Sequence, residues 1–363
     1  MHGLNRIQGA AGARPPTQRK TPMNTITESL DSSLISALGD DVQCHERAPG
    51  QPPLFIEPKG GALLDRDRFR AWTRRVKPSL EQLIVRHGGI VLRGFPTPQT
   101  EDFADIVDQF PPFQDGYVGG RAPRLQVSGR VMESTRLDAG VKLGVHSEMA
   151  YRRQYPKRIA FFSRLTAPVG GETTIADARQ FVEGIGPELV EKIAAIGIRS
   201  ALSYGPKSDT VESSYEDQDR YGWNHAFGTE DPAEVEARCA SRGLQPLWHD
   251  DGSLTVFATL EPFLHHPVTG RKLYRSGLHR DHTAMAVLNP EMRKNQKYPT
   301  GMFLANGQRL STEEVDHINA VCDKFTYSWP WRNGDVMILD NLQVWHGRNP
   351  YEGRRDVQVA LLD

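Results

Sequence analysis

Cysteine is scarce: Cys44, Cys239 and Cys322 are widely separated within 363 residues. An odd, scattered set supports neither a disulfide framework nor a zinc-type cluster, and a reducing cytoplasm is the expected setting. Long apolar runs are also missing. DVMILD and RIAFF are strand-sized, far below a membrane span, and no apolar core of a secretory signal is present. Charge of one sign is not in excess, with Lys+Arg 44 against Asp+Glu 45 and a formal charge of -1. That balance gives no global pull toward nucleic acid or anionic membrane. Repeats, heptads and low-complexity tracts are lacking. What is left is a globular chain whose 38% hydrophobic residues are on the low side but enough for a core.

The opening MHGLNRIQGAAGARPPTQRKTP is basic without an acid, yet it has no amphipathic stripe of the transit-peptide kind. It reads as an extension, with Met23 as a second candidate start. Residues 1–45 are expected to be a disordered N-terminal extension and 46–363 a single domain. DRDRFRAWTRRVKPSLEQLIVRHG has the pattern of a helix ended by Gly88 and Gly89, and GIVLRGFP comes next as a buried strand. EDFADIVDQF is helical by spacing, RIAFFSRLTAPVGGETTIADAR reads as strand, turn and strand, and Asp177 caps the next helix. FVEGIGPELVEKIAAIG is helical with an interruption at Pro187. The region from about 205 to 330 is polar and turn-rich, with one clear helix in STEEVDHINAVCDKF. The chain then closes with GDVMILD, a polar break NLQVWHGRNPYEG, and RRDVQVALLD. Strands at both ends around a long insertion predict an α+β, mainly β domain built as a sandwich or jelly roll.

The chemistry starts at GVHSEMAY. On a strand, His146 and Glu148 would share a face, and an imidazole and a carboxylate are not buried without partners. A hydrogen-bonded His–Glu pair is the plainer explanation. A metal ion is the sharper one, since this donor set suits Fe(II), Mn(II) or Zn(II). His346, after the Asp340–Asn341 turn, is the best third ligand among the 12 histidines. Two histidines and a carboxylate fill one face of an octahedron and leave room for a chelating co-substrate and dioxygen. A 2-oxo dicarboxylate would need a cation for its far end. Arg355 shares a strand face with Val357, Val359 and Leu361, and Arg354 is its rival. A surface salt bridge of Arg355 with Glu352 or Asp356 is the alternative. Thr173 or Thr174 offers an assisting hydroxyl.

HSE at 146–148, GGETTIADAR at 170–179, and GDVMILDN followed by HGRNPYEGRRDVQVAL resemble the taurine/2,4-D (TauD/TfdA-type) dioxygenase superfamily of Fe(II)/2-oxoglutarate enzymes. Within it the likeness is to the syringomycin-biosynthesis-type hydroxylases found beside non-ribosomal peptide synthetases. It covers roughly 85–363 and includes GWNHAFGTEDPAEVEARC and HHPVTGRKLY. The resemblance implies a double-stranded β-helix (jelly-roll) core with flanking helices. It also implies Fe(II) held by His146, Glu148 and His346, and 2-oxoglutarate held by Arg355 with help from Thr173. O2 would complete the set. The implied reaction is hydroxylation of an unactivated carbon of an amino acid or related small metabolite, with desaturation, epoxidation or cyclisation as alternative outcomes. The substrate would be free or tethered to an acidic carrier protein. Retention of Glu148 speaks against halogenation, because halogenating relatives give up that ligand for chloride.

Two departures stand out. Arg275, Ser276 and Gly277 replace an expected amide-containing segment, and Val359 stands where some relatives carry a second, substrate-gripping arginine. Four smaller readings complete the expectations. His279 and His282 are polar-loop residues, and His265 and His266 are turn residues. Met149 and Tyr151 either line a substrate pocket or pack in the core. Arg152, Arg153, Lys157 and Arg158 form a solvated face or a carrier dock.

Overall fold

A computed structural model describes residues 31–114, 125–135, 137–209, 222–280, 298 and 300–363. The opening basic stretch, Met23 and His282 lie outside the described residues. Among these residues the largest sheet has eight strands, in the order Val42–His45, Leu54–Pro58, Gly89–Leu92, Val336–Asp340, Arg158–Leu165, Asp356–Leu362, Val131–Glu133 and Gln126–Ser128. A smaller sheet has four, in the order Thr326–Tyr327, Thr173–Asp177, Val344–Arg348 and Leu143–His146. Phe161, Met337, Val357 and Val359 of the large sheet share a buried cluster with Ile175 and Val344 of the small one, so the two sheets pack face to face. Alternate side chains make this possible. Val344 and His346 face the large sheet, while Trp345 between them enters a different core with Phe181 and Tyr274.

Both outer faces are covered. The helix Arg66–His87 lays Phe69, Trp72, Val76, Leu80 and Ile84 on the large sheet. Its start is set by the Asp65 carboxylate, which accepts from the Arg68 amide, and its end by Gly88 at φ 73. The small sheet is covered by the helix Thr312–Lys324, held by a Ser311/Glu314 capping box, and by a third sheet. That third sheet runs Gln245–Trp248, Leu254–Leu260, Ile198–Tyr204, Gly301–Leu304, and much of it lies in the expected insertion. Its strands are buried on one face and were not visible as strands in a polar, turn-rich stretch.

Several expectations gain detail. RIAFFSRL and TTIAD are strands joined by a turn, as expected, and that turn carries the chain from the large sheet to the small one. Gly170 and Gly171, at φ 67 and 76, make that crossing under Pro350 and Tyr351, where no side chain fits. Pro187 opens a new helix, Pro187–Ile196, after Gly186 at φ 84. The polar break NLQVWHGRNPYEG contains a wholly buried strand, Val344–Arg348. Finally, Leu38 is buried and Val42–His45 pairs with Leu54–Pro58, so ordered structure begins before residue 46.

Gly347 sets how closely the central strands of the small sheet approach. A Cβ there would collide with the Leu143 carbonyl and lie 2.7 Å from Thr174 Oγ1. Gly347→Ala is therefore expected to cost about 1–3 kcal/mol in a denaturant melt through overpacking. The same variant should lose Mn(II) affinity, measured by anaerobic calorimetry, because the displaced strand carries His346.

Candidate metal centre

His146 is the last residue of Leu143–His146, and its direct cross-strand partner is His346. Their ring centroids are 4.4 Å apart. Glu148 is not on that strand; it lies in the turn just beyond it, and its Oε2 comes within 3.5 Å of His346 Nε2. One donor atom from each of His146, Glu148 and His346 lies within 4.8 Å of the others. The donor set fits a divalent metal. His146 Nδ1 is 3.0 Å from the Gly144 carbonyl, which can only accept, so Nδ1 carries the proton and Nε2 keeps its lone pair.

The turn bearing Glu148 is held from two sides. Asn341 Oδ1 accepts from the Glu148 amide at 2.7 Å, while its Nδ2 donates to the carbonyls of Glu148 at 3.1 Å and Pro156 at 2.8 Å. Ser147 Oγ donates to the Asn341 carbonyl at 2.9 Å. On the other side, buried Arg275 donates to the carbonyls of Met149 at 2.7 Å and Arg152 at 3.1 Å, and its guanidinium lies 3.8 Å from the Tyr155 ring centroid. Burial pushes this guanidinium down to about 10. Met149 needs such restraint: at φ 56 it occupies the left-handed region without being glycine. Asn341 is itself fixed through its neighbour. His266 Nδ1 accepts from the amides of Val268 and Thr269, so Nε2–H donates to Asp340 at 2.9 Å. His266 is thus a turn residue, as expected, but a buried one.

A narrow pocket adjoins His346. Its walls include Ser134, Thr135, Phe161, Thr173, Arg348, Arg355, Val357 and Val359. Arg355 Nε donates to the Gly171 carbonyl at 2.8 Å, and its terminal nitrogens meet no acceptor among the described residues. Arg348 Nη1 donates to the carbonyl of Leu137, and its Nη2 to those of Asp138 and Val141. Neither arginine has a carboxylate at salt-bridge distance among the described residues. Burial, then repulsion from Arg348, lowers the Arg355 guanidinium to about 10. Two part-buried cations without a counter-ion make this a place for an anion. Arg354 is exposed and does not line the pocket; Thr174 faces away, toward Gly347.

The remaining sequence candidates sort cleanly. His279 is buried against Trp345 near Val145, so it is not a loop residue open to solvent, and among the described residues no metal-ligand group includes it. Met149 packs in the core. Arg152 is 4% exposed and donates to the Tyr204 hydroxyl, while Arg158 reaches the Asp363 carbonyl. The basic run is therefore not one solvated face. Asn341, Arg275 and Arg348 are site-building residues that spacing alone does not reveal; the DN at 340–341 and the HGR at 346–348 hint at two of them, and Arg275 stands out only as a departure from the family pattern.

Comparison with known proteins places this geometry. The family described as "Taurine catabolism dioxygenase TauD, TfdA family" matches residues 56–361. The dapdiamide synthesis protein DdaC of Enterobacter agglomerans is 29% identical over 78% of this chain and 84% of its own. A clavaminate synthase-like protein of Arabidopsis thaliana is 26% identical over 85% of this chain and 93% of its own. Among solved structures, AAD-2 in complex with Mn(II) and N-oxalylglycine superposes with a TM-score of 0.50 at 14% identity, over 88% of this chain and 96% of that one. That last likeness concerns the fold.

Removing the turn's restraints should loosen the ligand set. Asn341→Ala strands the Glu148 amide and the Pro156 carbonyl, at about 1–3 kcal/mol for each buried group. A lowered melting temperature together with weaker Mn(II) binding is the expected result; an Asn341→Ala protein binding Mn(II) like the parent would show that Glu148 is held without it.

Proposed function

The chain belongs to the TauD, TfdA family of dioxygenases, and from that premise we propose that it hydroxylates an unactivated carbon of an amino acid or related small metabolite in a biosynthetic pathway. The cofactors are Fe(II), 2-oxoglutarate and O2. His146, Glu148 and His346 hold the iron, and Arg355, assisted by Thr173, holds the far carboxylate of 2-oxoglutarate. The core is read as a double-stranded β-helix, with residues 205–330 as the insertion between its strands. The observation that carries this reading is the adjacency of two features: a cluster of two imidazoles and a carboxylate, and a pocket beside His346 containing a cation without a counter-ion.

Held by His146, Glu148 and His346, iron would supply, with dioxygen and 2-oxoglutarate, an oxidant able to remove hydrogen from an unreactive carbon, with succinate and carbon dioxide as co-products. The chain's own residues set the conditions. His146, Glu148 and His346 would hold the iron through two imidazoles and one carboxylate. Phe161, Val357 and Val359 wall the pocket with apolar surface and keep water from the co-substrate. Val359 also means that this strand offers no second cation to a substrate acid. Hydroxylation is the outcome preferred over desaturation, epoxidation or cyclisation. The name of the dapdiamide synthesis relative supports a biosynthetic role. The substrate is presented free or on a carrier protein, and Arg152 takes no part in carrier docking because it is buried.

Succinate release in the presence of Fe(II) and oxygen, screened over amino acids, small acids and carrier-loaded aminoacyl thioesters, tests the proposal. Oxygen-dependent succinate with a product heavier by one oxygen is expected; release that proceeds without oxygen would overturn it. His146→Ala and His346→Ala should abolish both iron binding and turnover. Arg355→Ala loses a charged hydrogen-bond partner worth about 1.5–3 kcal/mol, so the 2-oxoglutarate KM should rise roughly tenfold to a hundredfold.

A further inference from the structure

Trp331 Nε1 lies 3.1 Å from Thr173 Oγ1, both side chains being buried. An indole N–H can only donate, so Thr173 Oγ1 is the acceptor in this pair. The hydroxyl proton is therefore left over, and among the described residues no acceptor receives it. Thr173 and Arg355 line the same pocket, and Arg355 is anchored to the carbonyl of Gly171, just before Thr173 in the chain. An O–H without an acceptor and a guanidinium with free terminal donors thus converge on one space.

We infer that Trp331 is a positioning residue: its indole N–H fixes the Thr173 hydroxyl as an acceptor on one side, so that its O–H is aimed at the co-substrate carboxylate on the other. This rests on the reading of Thr173 and Arg355 as the carboxylate site. Trp331 is well placed for such duty because its loop is rigidly tied. Arg93 donates to the Pro330 carbonyl at 3.0 Å and pairs with the fully buried Asp335 at 2.6 Å, and Asp335 in turn accepts from the Arg332 amide at 2.9 Å. The indole is held on both flanks of the loop, so the hydroxyl has one orientation that satisfies the donor behind it. Pre-setting a rotor in this way spares the ligand the cost of ordering it.

The test is anaerobic calorimetry on the full chain loaded with Mn(II) and titrated with 2-oxoglutarate. Two variants remove the N–H: Trp331→Phe, and replacement of Trp331 by 3-benzothienylalanine, which keeps the bicyclic shape. Each should weaken binding about threefold to tenfold, as expected for one neutral hydrogen bond. Thr173→Val should weaken it at least as much, and adding Trp331→Phe to Thr173→Val should cause no further loss. Pyruvate, which lacks the far carboxylate, should bind the parent and the Trp331 variants alike. Parent-like 2-oxoglutarate affinity in the benzothienyl protein, additive losses in the double variant, or an equal loss for pyruvate would overturn the inference. If instead Arg355→Ala and Thr173→Val both bind 2-oxoglutarate as the parent does, the carboxylate-site reading itself fails.

Discussion

A slip of one residue of Val344–Arg348 against its neighbours Thr173–Asp177 and Leu143–His146 would turn His346 out of the space between the two main sheets and send Trp345 into it, because neighbouring side chains on a strand face opposite ways. Everything at the candidate centre depends on that register. It sets the two imidazoles opposite each other, and it puts Arg348 opposite Thr173 on the next strand, toward the pocket. The register is enforced from both faces. Val344 and Ile175 are committed to the inner core, Trp345 and Ala176 to the outer one, and no shifted pairing satisfies both. Gly347 then allows the backbones to close up where any side chain would hold them apart.

The pocket is organised around charge that no carboxylate among the described residues answers at salt-bridge distance. Arg348 spends its donors on three carbonyls of the segment before Leu143–His146, which stiffens that segment and leaves a cation in place. Arg355 spends one nitrogen on Gly171 and keeps the rest. Burial makes both guanidinium groups costly as they stand, and Arg348 adds repulsion at Arg355. Such sites are stabilised by what they bind, which is how a preorganised anion site differs from a structural ion pair.

Much of this was readable from the chain, and the exceptions have physical causes. The helix Arg66–His87 announces itself through its apolar spacing and its terminal Asp and Gly. His146, Glu148, His346 and Arg355 stand out because ionisable side chains are unusual beside buried strands, Thr173 is legible only as a nearby hydroxyl, and the fold brings all five to one region. The strand Val344–Arg348 was hidden because a histidine and an arginine on its inner face look polar, although they face a site and not solvent. The placement of Glu148 in a turn was hidden because a spacing of two suits a strand equally well. Asn341 and Arg275 act on backbone carbonyls distant in sequence, and a carbonyl leaves no mark in the residue code. The third sheet escaped notice since its strands owe their stability to packing on the small sheet rather than to local preference.

The reach of Arg275 and His266 has an evolutionary corollary. Both belong to the long polar region, yet each fastens part of the turn system at the candidate metal centre: Arg275 grips the backbone after Glu148, and His266 steadies the aspartate beside Asn341. Selection for a new substrate can therefore rework the surrounding loops only while these two tethers persist. A chimera that transplants the region wholesale carries both tethers with it, whereas a recombination point drawn between them would leave one behind.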